Sequence, residues 1–306
     1  MSLLWFTQIV GILILFVSSP LLWGITQTVK ARIQGRHGPP VWQMYWVIAK
    51  NWRKETTAPE FSSWIFRIAP SVSMAALLAV LIMIPSSGQV PIGWPHDLLT
   101  VFFLLALERF WIGLGGLDSA GTFGGLGSSR TSTIGTGIEP ALLAAFGVLW
   151  RVGGGSAIEP ITPLLKASPG GTIAWSLAAV SFALLLLAEL GRMPVDNPDT
   201  HLELTMIHEA TILESNGRLL ALSQLAMTLK LTVVMALGWV IMGPHFGSSW
   251  PNLTLLLIEL AFTSVALGWI ESRLTKLRYF QLPAYLSIAA GIGLLGFLLA
   301  SGGFNL

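Results

Sequence analysis

The 306-residue sequence contains no cysteine. That absence excludes disulfides, thiolate-held iron–sulfur clusters, a Cys nucleophile and Cys-type zinc sites. If electrons matter to this chain, a partner carries them. Charge is also scarce: charged residues make up 10% against 53% hydrophobic ones, and the mean hydropathy of +0.72 is too high for a water-soluble domain. The solvent for most of the chain is therefore lipid. The net charge of +2 says little about partners, because membrane proteins distribute Lys and Arg for topology. No nucleic-acid signal is present.

What is abundant is apolar sequence in runs long enough to cross a hydrocarbon core of about 30 Å, which takes roughly 20 residues of helix. Such runs fall near 3–24, 69–86, 97–117, 134–151, 172–190, 218–243, 252–271 and 284–302. They predict an all-α, polytopic bundle of about eight spans, a single integral membrane domain over 1–306. The first run has neither a basic leader nor a small-residue cleavage site before Lys30, so it is expected to be retained. Loops at about 25–68 and at alternate later positions hold thirteen Lys and Arg residues, among them Arg67, Arg130, Arg192 and Arg218. The opposite loops hold only Arg151 and Lys166. The asymmetry puts the basic loops in the cytoplasm and both termini outside. Within the first cytoplasmic loop, Trp42, Tyr45, Trp46 and Ala49 recur at helical spacing beside Gln43, Lys50, Arg53 and Lys54, which predicts an amphipathic helix at the membrane interface.

The chemically richest segment is the cytoplasmic loop at about 191–217, with Asp196, Asp199, His201, Glu203, His208, Glu209 and Glu214. Asn197-Pro198 suits a helix start, because the Asn can cap and Pro loses nothing at the first helical position. A helix over about 198–214 would place His201, Thr205, His208 and Ile212 on one face, and Glu203, Ile207, Ala210 and Glu214 on another. Over the mouth of a bundle, those groups would line a cavity as proton-uptake residues. The histidine spacing points away from metal: Ile212 stands where a zinc-protease helix needs its second histidine, and His201 lies seven residues before His208.

Inside the spans stand Glu108, Arg109, Glu139, Lys230 and Glu259. A charge facing lipid at a helix centre costs at least about 2.5 kcal/mol, so these should face the interior, water or one another and could form an intramembrane proton path. Glu108 with Arg109 could equally be a structural ion pair. Glu189 and Glu271 lie near span ends, where snorkelling is a sufficient explanation. The glycines from Gly121 to Gly127 lack the preceding strand and following Gly-Lys-Ser/Thr of a phosphate loop, so close helix approach or a flexible loop explains them better.

Three stretches carry a family resemblance: Ser63-Trp64-Ile65-Phe66-Arg67-Ile68-Ala69-Pro70; Gly115-Gly116-Leu117-Asp118 with Phe123 to Arg130 and Glu139-Pro140-Ala141-Leu142-Leu143; and Arg192 through Ala210, continuing to Arg218. They resemble the membrane subunit shared by respiratory complex I, where it is subunit 1, and the group 4 membrane-bound nickel–iron hydrogenases, including formate hydrogenlyase. The third stretch is more similar to the hydrogenase branch. Two positions depart from the pattern: Thr131 follows Arg130 where the family commonly has Glu, and Val47 occupies a place usually polar or acidic.

The resemblance implies a scaffold in the cytoplasmic (inner) membrane with no cofactor or metal of its own. Its partners would be a hydrophilic arm with iron–sulfur clusters and a nickel–iron-hydrogenase-like large subunit, and antiporter-like membrane subunits. The loops bearing Arg67, Arg130, Arg192 and Arg218 would receive the arm, and redox energy would pass inward to move protons or sodium. The alternatives are a quinone-binding subunit of a complex I-like dehydrogenase, and a stand-alone secondary ion transporter.

Overall fold

The computed structural model describes residues 2–158, 169–196, 206–245 and 249–302. They form ten α-helices: α1 (Ser2–Ile33), α2 (Gln43–Trp52), α3 (Trp64–Met83), α4 (Leu98–Asp118), α5 (Thr122–Gly153), α6 (Pro169–Glu189), α7 (His208–Thr211), α8 (Gly217–Met242), α9 (Ser249–Arg273) and α10 (Leu282–Ala300). Eight are long and apolar enough to span a membrane, and α2 is the short amphipathic helix of the first loop. The α-helical membrane bundle expected from composition is thus the architecture found.

Two spans extend well beyond their apolar runs. α5 begins at Thr122, not near 134, and the glycine stretch opens it as helix. Its early turns are rich in hydroxyls that bond back to carbonyls three or four residues earlier: Thr131 to Gly127 (2.9 Å), Ser132 to Ser128 (2.9 Å) and Thr133 to Ser129 (2.8 Å). A polar helix segment can satisfy itself this way, which an apolar count does not register. Pro140 lies within α5 and marks no helix start. α1 likewise runs on to Ile33, with Thr26 bonded to the Leu22 carbonyl and Thr28 to that of Gly24.

α8 is the central pillar, the most buried of the eight spans, and it packs against α1, α2, α3, α6 and α9. α2 lies against it through Asn51, whose amide donates to the Gln224 side chain at 2.9 Å. Trp42 and Trp46 of that region face outward from the chain, as an interfacial anchor would.

Glycine governs how closely α3, α4, α5 and α7 meet. A Cβ on Gly115 would lie 2.7 Å from that of Ala69, and one on Gly127 would lie 2.7 Å from the Thr211 nitrogen. A Cβ on Gly124 would lie 2.5 Å from the Gly116 carbonyl oxygen. Asp118 then ties two of the motif stretches together, accepting from the Ser63 backbone (2.8 Å), the Ser63 hydroxyl (2.8 Å) and the Phe66 N–H (2.9 Å) at the start of α3.

The acidic loop departs from expectation. Helix is present over His208–Thr211 and stops there, with Ile212 leaving helical geometry at φ −103° and ψ 6°. Thr211 is pressed against Gly116 and Gly127, and the chain must then turn into α8 through Gly217 at φ +53°. A helix continuing to 214 would overrun that corner. Asp199, His201 and Glu203 lie outside the described residues.

Candidate functional site

Four of the five intramembrane candidates meet in one place. α4 supplies Glu108 and Arg109, which point to different partners instead of pairing with each other. Lys230 of α8 donates to Glu108 at 2.7 Å and lies 2.9 Å from a Glu189 oxygen. Arg109 binds the other Glu189 oxygen and reaches Glu139 of α5 at 3.1 Å. The Ser73 hydroxyl of α3 completes the row, 3.4 Å from Glu108. The result is a ladder of alternating sign, Glu108–Lys230–Glu189–Arg109–Glu139, drawn from four helices.

Neighbouring charges in such a row each have opposite partners, which offsets the cost of desolvation that an isolated ion would bear. The two ends differ: the Glu108 side chain is 3% exposed and that of Glu139 44%. The ladder therefore runs from the core of the bundle to an outward-facing carboxylate.

Glu189 was expected to snorkel, and it sits instead at the centre. A last helical turn can point its side chain inward as readily as outward, and the sequence does not say which. Glu271 is a second case, buried with Arg192 (2.9 Å) and Lys30 (3.1 Å). Arg192 was expected on a docking loop; it is fully buried, with its guanidinium 3.8 Å from the Trp23 ring centroid. The loop folds inward at that point, so its charge serves the interior. Glu259 is not part of the ladder. It lies beside the end of α8 with His245 and Asn252, around a cavity of about 10 Å³.

A cavity of about 70 Å³ connects the ladder to the acidic loop. Glu108, Arg109, Glu189 and Lys230 form one side of it, and Arg192, Asp196 and His208 another. That volume accommodates a few waters, each needing roughly 10–15 Å³ by this measure. Polar atoms await them: Nε2 of His208 and Nε and Nη2 of Arg192 are buried without a partner.

The loop is held over the cavity by two clamps. Asp196 accepts from the backbone N–H of Ile207 (3.3 Å) and of His208 (3.2 Å) and from Lys276 (2.6 Å). Arg130 donates to the Met206 carbonyl at 2.8 Å. Glu209 is half-buried, Glu214 is exposed beside Gly121, and Arg67 and Arg218 are exposed. Among the described residues no group of three or more His, Asp or Glu side chains is placed to hold a metal ion.

Several known proteins are similar to this chain. The chain is 32% identical over 251 residues to hydrogenase-4 component C of Escherichia coli K12, covering 82% of this chain and 79% of that protein. It is 33% identical over 233 residues to formate hydrogenlyase subunit 4 of the same organism, covering 73% and 72%. The fold is shared with a chain of the membrane-bound sulfane sulfur reductase, an archaeal respiratory membrane complex, at a TM-score of 0.83 and 20% identity over 97% of this chain and 99% of that one. A family model described as NADH dehydrogenase matches residues 6–300, nearly the whole length, and the chain belongs to that family.

Proposed function

We propose that this chain is the membrane-anchoring and ion-coupling subunit of a multi-subunit redox complex of the energy-converting hydrogenase and complex I type. It reads as a single integral membrane domain, multi-pass in the cytoplasmic membrane with both termini outside. Hydrophilic subunits bearing iron–sulfur clusters and a nickel–iron-hydrogenase-like large subunit dock over the acidic loop, and antiporter-like subunits lie alongside in the membrane. The observation that carries the reading is the continuity from that loop, through a small polar cavity, to a charge ladder that reaches the edge of the chain at Glu139.

Reduction of a partner's cluster above the loop adds negative charge near Asp196 and His208. In a poorly hydrated cavity that charge raises the proton affinity of nearby acids, and re-pairing along the ladder transmits the change to Glu139. The relatives named as components of hydrogenase-4 and formate hydrogenlyase support the assignment to such an assembly. A quinone in the same cavity is the weaker reading, since about 70 Å³ is well below the roughly 300 Å³ at which ligand pockets begin.

The test is replacement of Glu139 or Glu203 by Gln in the whole complex, with ion pumping measured in native membrane vesicles beside electron transfer to an artificial dye. Pumping is expected to disappear while dye activity persists. Undiminished pumping in both variants would overturn the proposal.

A further inference from the structure

Away from the ladder, two adjoining cavities run along the seam between α5 and α10. One, of about 280 Å³, is lined by Arg130, Lys276 and Arg278 together with Tyr279 and Leu282, and no acidic side chain is among its described walls. The second, of about 330 Å³, shares Tyr279 and Leu282 and continues past Ile134, Pro140, Leu286 and Ala290. The first is basic and lies where α10 begins; the second is mainly apolar and lies within the spans.

We propose that this groove binds one anionic phospholipid, its headgroup among Arg130, Lys276 and Arg278 and an acyl chain along the α5–α10 seam. Charge complementarity selects an anion, since three cations line this cavity against one carboxylate, Asp196, which Lys276 contacts and which is not among the described walls. Arg130 and Lys276 also hold the Met206 carbonyl and Asp196, which fixes them in place, while Arg278 is exposed. Length selects a lipid over a soluble anion. From Leu282 to Ala290 the groove follows α10 for about 12 Å at the helical rise of about 1.5 Å per residue, most of the roughly 15 Å depth of one hydrocarbon leaflet. Basic pockets between membrane helices recognise anionic headgroups in this way. The proposal is independent of which side of the membrane the acidic loop faces.

The experiment uses the full chain purified in its complex in mild detergent, with bound lipid followed by native mass spectrometry. Dioleoylphosphatidylglycerol and dioleoylphosphatidylcholine are titrated separately. Retention of the anionic lipid over the zwitterionic one is expected. Arg278→Gln should weaken the anionic lipid about fivefold, the worth of one basic residue near an anionic lipid surface. Ser287→Trp, at an exposed position on the apolar part of the groove, should weaken it without altering headgroup preference. Equal retention of the two lipids, or binding of soluble glycerophosphoglycerol as tight as that of intact lipid, would overturn the proposal. So would a photo-crosslinker at position 287 that captures a subunit and no lipid.

Discussion

Lys230 shows how much a single side chain organises here. It bridges Glu108 and Glu189 at 2.7 and 2.9 Å, and its removal would leave two carboxylates among apolar helices. Lys230→Met is expected to destabilise the folded chain by about 3–5 kcal/mol, the cost of breaking a buried pair, read as a lowered thermal midpoint of the purified complex. At this scale the sequence identified Glu108, Arg109, Glu139 and Lys230 because a charge in a span must avoid lipid. It did not identify Glu189, Glu271, Lys30 or Arg192 as interior groups. Each lies at a span end or in a loop, where water is an equally good partner and the direction of the side chain is set only by tertiary packing.

Asp97 makes a different contribution, capping α4 by accepting from the Thr100 N–H (2.7 Å) and hydroxyl (2.8 Å). Partial burial disfavours its ionised form, but hydrogen bonds from Ser156 and Thr100 outweigh that and hold the carboxyl below the usual carboxylate range. The cap is therefore complete at neutral pH and is lost only as pH falls through that lowered value. Asp97→Ala should cost about 1 kcal/mol, and thermal melts across the acid range should lose part of their pH dependence.

Among the elements, α5 is the instructive one. Its apolar half was legible from periodicity, and its N-terminal half was not, because hydroxyls and glycines read as loop until one sees the back-bonds and the close neighbours. The glycines were more informative read as sites of close helix approach. Gly127→Val would drive side-chain carbons into Ala210 and Thr211. Overpacking of this kind costs about 1–3 kcal/mol, and here it also pushes α7 away from the cavity. Limited proteolysis should then cut near 206–216 in the variant and spare the parent. Asp118, the last residue of α4, joins it to the start of α3, and Asp118→Ala should cost about 1 kcal/mol through lost capping, again measured by thermal midpoint. The loop helix was misjudged in extent, because an apolar and acidic pattern at helical spacing carries no information about the corner that Gly217 must turn.

At the scale of the whole molecule, the number and order of the spans were legible, since lipid leaves the backbone few choices besides helix. Orientation rests on basic residues, thirteen against two. A periplasm-active reporter fused after residue 306 should therefore be active, and one inserted near residue 54 inactive. The reverse pattern would invert the topology. The ladder has a property that follows from its count. It holds three acids and two bases, so it carries one more negative charge than positive. A single proton on Glu108 leaves Lys230 with Glu189 and Arg109 with Glu139. The same proton on Glu139 leaves Lys230 with Glu108 and Arg109 with Glu189, and on Glu189 it leaves both outer acids paired. Every placement gives two complete pairs drawn from contacts already made. In the proposed coupling role the row would work as a shift register: a proton taken up beside Glu108 and one released at Glu139 would differ only in which acid each base faces, and no helix would have to move between them.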